Sequence, residues 1–439
     1  MENWAGNYAY QAADIATPHS IDELQSVVRG SHSLRALGSR HSFNDIADTT
    51  GTHVSLVELP RIYELDRGAS RVRVDGAVRY GELAVRLHAD GFALHNLASL
   101  PHISVAGACA TATHGSGDRS GNLATAVTGL EVVTAGGDIV HFDRSGAIAG
   151  FRGAVVALGG LGVVTALTLE VEPTFEMRQD LYENLSLSQV AEHFDEITAL
   201  ADSVSLFTEW HGPAFEQLWL KRRVVTGAPF EPPPLVFGAT RATEKIHPIR
   251  RMPADALTEH LGVPGPWHER MPHFRLDHTP SAGAELQTEY LVPREHAVDA
   301  LLAVAALRRR IEPLLQVSEI RTIAADDLWL STASERSSVG IHFTWQPDWE
   351  HVRELLPAIE ASLAPFEPRP TGASCSRSPR RPFGRPIRTC PSSLRSWNAT
   401  TRPGSSATPS SSATSSPTSP ARLRRRGRQR RATRSPRRC

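Results

Sequence analysis

The stretch ASLPHISVAGACATATHGSG, residues 98–117, is the part of the chain that says most about its fold. Small side chains occupy almost every position from Ser104 to Gly117, and they let the backbone approach a flat ring or a diphosphate closely. The same composition also suits a tightly packed Gly/Ala loop that binds nothing. No GxGxxG fingerprint opens a βαβ unit, so the signature of a Rossmann nicotinamide site is missing from the sequence.

A second Gly/Ser-rich turn, GSRHS at residues 38–42, lies upstream of this stretch and follows a predicted strand at residues 35–37. Such a turn can present backbone N–H groups to a pyrophosphate. A histidine on such a loop can equally be an ordinary polar side chain. The turn alone does not separate these two interpretations.

The pattern of apolar residues predicts an α+β fold with two domains, residues 1–173 and 174–370. In the first domain we expect helices at residues 14–30, with Ser20 and Glu23 as a capping box, and at 80–88, and strands at 72–74, 130–134, 139–142 and 161–172. In the second domain we expect strands at residues 204–210, 217–223, 286–292, 319–323 and 340–345, and helices at 294–311 and 349–363. Strands followed by helices indicate a sheet covered on one face by helices.

Charge is distributed unevenly along the chain, although the formal net charge is +0. Residues 371–439 contain 17 arginines and no lysine, aspartate or glutamate, which leaves 30 basic against 47 acidic side chains in residues 1–370. An acidic body argues against nucleic acid as a partner. Residues 371–439 are rich in Ser, Pro, Thr and Arg, a composition that predicts a disordered tail.

Cysteine usage and hydropathy indicate a cytoplasmic protein. Of the four cysteines only Cys109 lies in residues 1–370, so we expect neither a disulfide framework nor a metal site. The polar start of the chain has no basic region followed by an apolar run, and no stretch of 18 or more apolar residues exists. We therefore expect no signal peptide and no membrane partner.

Taken together, residues 38–42 and 94–117 resemble the vanillyl-alcohol-oxidase-type flavoproteins, and within them the alditol (xylitol and sorbitol) oxidases. The resemblance runs nearly continuously from Asn3 to about Pro370. It includes the segments VSLFT (204–208), GVPGPWHER (262–270), GAELQ (283–287), SEIRT (318–322) and HFTW (342–345). It implies an FAD-binding domain in residues 1–173 and a substrate domain in residues 174–370.

The resemblance also implies roles for individual residues. His41 stands where the family's histidine bonds covalently to the flavin 8α-methyl group. Glu319 and Arg321 match the catalytic, polyol-holding residues, Thr344 also matches a substrate position, and Ser99 lies at the boundary between flavin and substrate. Without the resemblance, Glu319 and Arg321 could be an ordinary ion pair on one strand face, since residues i and i+2 share a face. The positions that match flavin-binding residues are Ala36, Leu37, Gly38, Ser39, Arg40, His41, Ser42, Ser99, Ser104, Gly107, Thr111, Ala112, Thr113, His114 and Val164.

The sequence departs from the family pattern in two places. Arg40 replaces the glycine that usually precedes the flavin-linking histidine; if that position has φ > 0, arginine strains the loop by roughly 1 kcal/mol or more. The family's His-Trp-Gly-Lys and Asn-Ala-Phe motifs are absent from residues 371–439. The lysine stands beside the substrate hydroxyl, and Asn-Ala-Phe closes over the flavin.

A shifted reading frame explains the second departure. With the codon boundaries moved by one nucleotide, residues 370–376 permit His-Trp-Gly-Lys-Leu-Phe, and residues 399–410 permit Arg-Tyr-Asp-Pro-Ala-x-Lys-Phe-Gly-Asn-Ala-Phe. Both strings match family motifs at a consistent shift, so we interpret residues 371–439 as a frameshift product. The alternatives are a solvated linker and a basic arm for nucleic acid.

The resemblance implies a monomeric enzyme that oxidises the terminal hydroxyl of an alditol to the aldose with covalent FAD and reduces O2 to H2O2. Two alternatives stay open at this point. The chain could be a sugar-lactone oxidase of the same superfamily, or a catalytically dead flavoprotein, because losing a proton acceptor costs roughly 10²–10⁴ in rate.

Overall fold

A computed structural model describes residues 1–146, 150–225, 227–278, 285–372 and 375. The described part of the chain has no helix that is long and apolar enough to cross a membrane. The predicted tail lies outside the described residues except for Thr371, Gly372 and Cys375.

The chain begins with a small parallel sheet of three strands in the order β1-β3-β2, with one helix packed beside it. Its elements are β1 (Asp14–Ala16), α1 (Ile21–Gly30), β2 (Leu34–Ala36) and β3 (Thr52–Val54). The predicted helix over residues 14–30 is therefore too long. Pro18 disfavours helical geometry at the residue before it, so the helix starts only after the N-cap Ser20, whose side chain accepts from the Glu23 N–H.

A five-stranded antiparallel sheet in the order β4-β5-β9-β7-β8 follows. Strands β7 and β8 form an antiparallel hairpin at the strands predicted for residues 130–134 and 139–142, and β6 and β10 form a separate pair. The elements are β4 (Tyr63–Asp66), β5 (Arg71–Asp75), α2 (Tyr80–Ala89), β6 (Phe92–Ala93), α3 (Val105–Ala110), β7 (Val127–Val133), β8 (Ile139–Asp143), α4 (Phe151–Ala154), β9 (Val163–Glu170) and β10 (Glu172–Pro173).

The third sheet is large and has the order β14-β15-β11-β13-β12-β18-β19-β17-β20, with β16 paired to β11. Its elements are β11 (Glu176–Ser186), α5 (Leu187–Thr198), β12 (Ser203–Thr208), β13 (Ala214–Arg223), β14 (Leu235–Val236), β15 (Ala239–Arg241), β16 (Gly265–Pro266), β17 (Leu286–Pro293), α6 (Ala297–Ala306), α7 (Arg308–Ile311), β18 (Leu315–Ile323), β19 (Ser338–Trp345), α8 (Trp349–Leu363) and β20 (Arg369–Pro370). The α+β fold class is thereby confirmed.

Helices cover one face of this large sheet, as the sequence predicts. Val190 of α5, Leu301 of α6 and Leu356 of α8 are buried in one apolar core with alternate residues of the strands. The opposite face carries polar side chains on β17, β18 and β19. It is the face that lines the site described below.

The predicted boundary at residues 173/174 stays a prediction. The described residues as far as Cys375 belong to one compact unit, and the apolar core of the five-stranded sheet also includes Met177, Trp267 and Leu328 from the later part of the chain. After β20 the chain continues beside β17, since the Thr371 N–H donates to the Glu289 carbonyl (3.2 Å) and the Cys375 N–H to the Gln287 carbonyl (2.9 Å).

Candidate active site

Two adjoining cavities of about 230 Å³ each contain all the residues predicted for the site. The first is lined by the 35–42 turn, by α3 and by residues 154–167. The second lies against the polar face of the large sheet. His41, Thr111 and Thr113 line both cavities, so the two spaces meet at the turn that the sequence singled out.

Every predicted residue borders one of these cavities. The first cavity is lined by Ala36, Leu37, Gly38, Ser39, Arg40, Ser42, Ser104, Gly107 and Val164, in addition to the three predicted residues that line both cavities. The second cavity is lined by Ser99, Ala112, His114, Glu319, Arg321 and Thr344.

Two glycines make the first cavity tight around Ser104. A Cβ on Gly38 would lie 2.6 Å from the Ser104 Oγ, and one on Gly107 would lie 2.7 Å from the same atom. The buried Ser104 Oγ itself makes no hydrogen bond with any described residue. Glycine at both positions therefore keeps the backbone accessible beside an unused hydroxyl, which fits a phosphate-bearing cofactor.

His41 is buried at the junction of the two cavities. Its ring stacks on Trp4, with centroids 5.0 Å apart and planes at 22°. Burial lowers the pKa of His41 to about 4, against a smaller opposing effect of the Ser39 backbone, so the imidazole is neutral at physiological pH. A neutral imidazole is the nucleophilic form.

The backbone is strained on both sides of this junction. Arg40 has φ +64° and Ala112 has φ +55°, a region that side chains with a Cβ rarely adopt. Non-glycine residues in such conformations cluster at functional sites. Arg40 therefore has the positive φ at which an arginine strains the loop.

The register of the large sheet arranges the polar side chains of the second cavity in rows. One row runs Phe207–Glu319–His342–Glu289 across β12, β18, β19 and β17, and the neighbouring row places Arg321 beside Gly340. A third row pairs Thr344 with Gln287. Since alternate residues share a face, all of these side chains lie on the side opposite the covering helices.

Arg321 lies between two carboxylates. Its Nη2 donates to the Glu289 Oε1 at 3.0 Å, its Nε is 3.6 Å from the Glu319 Oε2, and its Nη1 is 3.4 Å from the Ser99 Oγ. All three charged groups are buried. The ion pair that the sequence allowed for Glu319 and Arg321 therefore exists, but it lines a cavity and does not lie on a solvated face.

Both carboxylates are ionised. Burial alone would raise the pKa of Glu319, but Arg321 and His273 outweigh it and hold that pKa well below its usual range. Glu289 behaves in the same way, with His114 and Arg321 as the opposing groups. The His114 Nε2 lies 3.2 Å from the Glu289 Oε2, which connects the 98–117 stretch directly to the sheet.

Sequence reasoning missed several residues of the second cavity: Gln287, Glu289, His342 and His273 also line it. His342 lies on β19 two residues before Thr344, so strand alternation could have found it. Gln287 and Glu289 lie on β17, where no residue had been chosen, and they join the site only through the pairing of β17 with β19. His273 belongs to a segment without regular structure, and no local pattern marks it.

Comparisons with known proteins agree with this arrangement. The family profile of the FAD binding domain matches residues 12–143. The chain is 48% identical over 376 residues to alditol oxidase of a Streptomyces species, which covers 84% of this chain and 88% of that enzyme. It is 30% identical over 358 residues to L-gulono-1,4-lactone dehydrogenase of Mycobacterium tuberculosis (77% and 82% covered), and 29% identical over 199 residues to L-gulonolactone oxidase of Bos taurus (44% and 45%).

An FAD-binding domain joined to a buried, charged cavity on a second sheet defines an FAD-dependent oxidoreductase. The chain belongs to the alditol oxidase family of these flavoenzymes.

Proposed function

We propose that the chain oxidises the terminal hydroxyl of an alditol such as xylitol or sorbitol to the aldose and reduces O2 to H2O2. The observation that carries this proposal is the buried Arg321 between the carboxylates of Glu319 and Glu289. These groups lie beside Ser99 in a cavity that ends at His41. A polyol presents adjacent hydroxyls, each of which needs both a donor and an acceptor.

In this proposal the side chains hold the polyol in one orientation. Glu319 accepts from one hydroxyl, Arg321 donates to its neighbour, and Thr344 binds a third. Fixing the terminal carbon in this way supplies the positioning part of catalysis. FAD bound in the first cavity would supply the acceptor for the hydride of that carbon and the path of its two electrons to O2. The hydroxyl proton would leave to solvent and be taken up in H2O2.

We propose that the first cavity holds the FAD through residues 36–42, Ser104, Gly107, 111–114 and Val164, with Ser99 at the border to the substrate. His41 then carries the covalent bond, for which its neutral ring is suited. His41→Ala should abolish flavin colour that stays with acid-precipitated protein, while colour before precipitation is reduced but present. His19→Ala, an exposed histidine outside both cavities, is the control; acid-stable colour in His41→Ala would refute the assignment.

Oxygen uptake with different substrates tests the reaction. We expect uptake and H2O2 with xylitol and sorbitol, and little with gulonolactone. The second candidate, a sugar-lactone oxidase, is favoured by the 30% identity to the lactone dehydrogenase over 358 residues. Turnover of lactones only would establish this second candidate and contradict the first.

A third outcome follows from the C-terminal segment. The position that a shifted frame would give to the family's lysine is Ser374, which lies outside the described residues. If the chain as written is colourless when purified, the catalytically dead alternative is correct for this chain.

We further propose that the enzyme is a cytoplasmic monomer. Support comes from the single cysteine in residues 1–370, which suits a reducing compartment. Light scattering on the purified chain and fractionation of cells test the two parts separately.

A further inference from the structure

A buried lysine lies behind the proposed substrate cavity. Lys221 of β13 is 1% exposed and lies on the same sheet face as the cavity. Its Nζ donates to the Met271 carbonyl at 2.6 Å and to the Pro272 carbonyl at 3.1 Å, and lies 3.0 Å from the His273 Nδ1. The three N–H bonds of an ammonium group thus each have an acceptor.

His273 connects this lysine to Glu319, the carboxylate that we propose binds the substrate. Its Nδ1 faces Lys221, and its Nε2 lies 2.9 Å from the Glu319 Oε1. Because Nδ1 accepts from the ammonium group, the single proton of a neutral ring must be on Nε2, which then donates to Glu319. The ring is held edge-on by Phe207 and tilted against Trp219, with centroids 5.7 and 4.9 Å away.

We propose that Lys221 is a positioning residue that acts through His273: it locks the histidine in the Nε2–H tautomer, and this tautomer holds Glu319 as an ionised, oriented acceptor for a substrate hydroxyl. One oxygen of Glu319 is occupied by His273, and the other faces Arg321 and the cavity. When Lys221 has lost its charge, the ring proton of His273 can move to Nδ1, and Nε2 then presents a lone pair to the Glu319 carboxylate.

The charge of Lys221 makes this lock sensitive to pH. Burial lowers the pKa of Lys221 to about 7, with Glu319 opposing and Arg321 reinforcing the shift. Burial and the charge of Lys221 lower the pKa of His273 to about 4, so its ring is neutral wherever the enzyme works. Among the described residues His260 also lies near this pair; burial, and then the charges of Lys221, Lys245, His273 and His247, lower its pKa to about 3, so it does not titrate near neutrality.

The sign of the effect follows from the protonated form. The ammonium that locks His273 is present below the Lys221 pKa and is lost as the pH rises through about 7. Substrate affinity should therefore fall on the alkaline side.

The first experiment uses the holoenzyme with ¹⁵N-labelled histidine and needs no substrate. His273→Gln identifies the His273 signals. We expect a neutral ring with the proton on Nε2 at about pH 6, and a mixture of tautomers at about pH 8, above the Lys221 pKa of about 7. A proton on Nδ1 at about pH 6, or the same tautomer at both pH values, would overturn the proposal even if no Lys221 variant folds.

The second experiment measures xylitol binding by calorimetry to the enzyme with its flavin reduced beforehand and O2 excluded, so that no turnover occurs. It rests on the proposed function because it assumes that Glu319 binds the polyol. We expect the wild-type Kd to rise roughly tenfold from about pH 6 to about pH 8, because the acceptor is no longer held in place. Lys221→Met should bind weakly at both pH values, and Lys221→Arg, which keeps its charge, should restore tight binding at both.

Lys245→Met is the matched control. Lys245 is a half-buried lysine that donates to the Leu257 carbonyl at 2.7 Å and does not contact Glu319. It should behave as wild type. A pH-dependent Kd in Lys221→Met equal to that of wild type overturns the proposal, whereas a wild type that binds no xylitol contradicts the proposed function and leaves the tautomer experiment to decide on the relay.

Discussion

Arg40 shows how a single residue can oppose the local backbone. Its φ of +64° costs an L-residue roughly 1–2 kcal/mol, and the hydrogen bond that its Nη1 donates to the Glu2 carbonyl at 3.2 Å is exposed. A residue held in such a conformation persists only if the surrounding structure fixes it. Here the Trp4 N–H donates to the Arg40 carbonyl at 2.8 Å and places Trp4 against His41.

Arg40→Gly should therefore stabilise the protein by about 1 kcal/mol, since glycine adopts positive φ without a penalty. The midpoint of thermal unfolding of the holoprotein measures this. Arg40→Ala is the control, because it removes the guanidinium but keeps the Cβ and so should gain nothing. Equal midpoints for the two variants would show that φ is not the source of strain.

At the scale of elements, Gly340 of β19 controls the spacing of the charged rows. A Cβ there would lie 3.1 Å from the Glu289 Oε1, 3.4 Å from the Ile323 Cδ1 and 3.6 Å from the His114 Cε1. The first of these contacts is tighter than a side chain normally makes. Glu289 would have to move by a few tenths of an ångström, away from its position against Arg321.

Gly340→Ala should lower kcat/KM for the alditol roughly tenfold, because the displaced Glu289 loosens Arg321. Its effect on stability should be small. Gly129→Ala in β7 is the matched control: it is also a strand glycine, but its Cβ would meet Thr168 at an ordinary 3.4 Å. Steady-state oxygen uptake checks both variants, and equal losses in the two would show that the effect is not specific to the site.

Elements whose apolar residues recur at a clear helical or strand spacing could be predicted from the sequence. Elements that depend on long-range contacts could not. Helix α8 has the predicted bounds, residues 349–363, because its apolar residues recur at helical spacing and Asp348 caps it. By contrast, residues 14–16 form a strand only because β3 lies beside them.

The site shows the same division. Glu319 and Arg321 are two residues apart on one strand, so the sequence alone places them on one face. Lys221 and His273 are 52 residues apart and meet only because the segment after β15 folds back over the sheet. No local pattern predicts that contact.

At the scale of the whole molecule, buried neutral histidines tie stability to pH. Burial lowers the pKa of His260 to about 3 and that of His273 to about 4. An unfolded histidine has a pKa of about 6.5, so as the pH falls below this value the unfolded chain binds protons that the folded protein excludes. The contribution of these two histidines to stability is full above about pH 6.5 and decreases towards pH 4, by up to about 1.4 kcal/mol per pH unit for each histidine.

The unfolding midpoint of the holoprotein should therefore fall between about pH 6.5 and about pH 5. His260→Gln should make this dependence shallower, because it removes one of the titrating groups. Exposed His19→Gln should leave it unchanged. An unchanged slope in His260→Gln would mean that other groups cause the acid sensitivity.

Residues 371–439 lack the family's His-Trp-Gly-Lys and Asn-Ala-Phe motifs, so we expect this segment to limit the activity of the chain as written. Thr371 and Cys375 pair with β17 through their backbone N–H groups, which puts the start of the segment at the wall of the second cavity. Sequencing the DNA around the Pro370 codon should reveal one base missing or extra relative to an intact frame.

Restoring the frame would replace Ser374 by lysine, and we expect turnover of xylitol to rise by roughly 10²–10⁴, the contribution of one well-placed proton acceptor. Removing residues 376–439 without restoring the frame is the control and should leave turnover as low as in the chain as written. If restoring the frame does not raise turnover above this control, Glu319, Arg321 and the groups behind them suffice for the reaction, and residues 371–439 are genuine protein without a catalytic role.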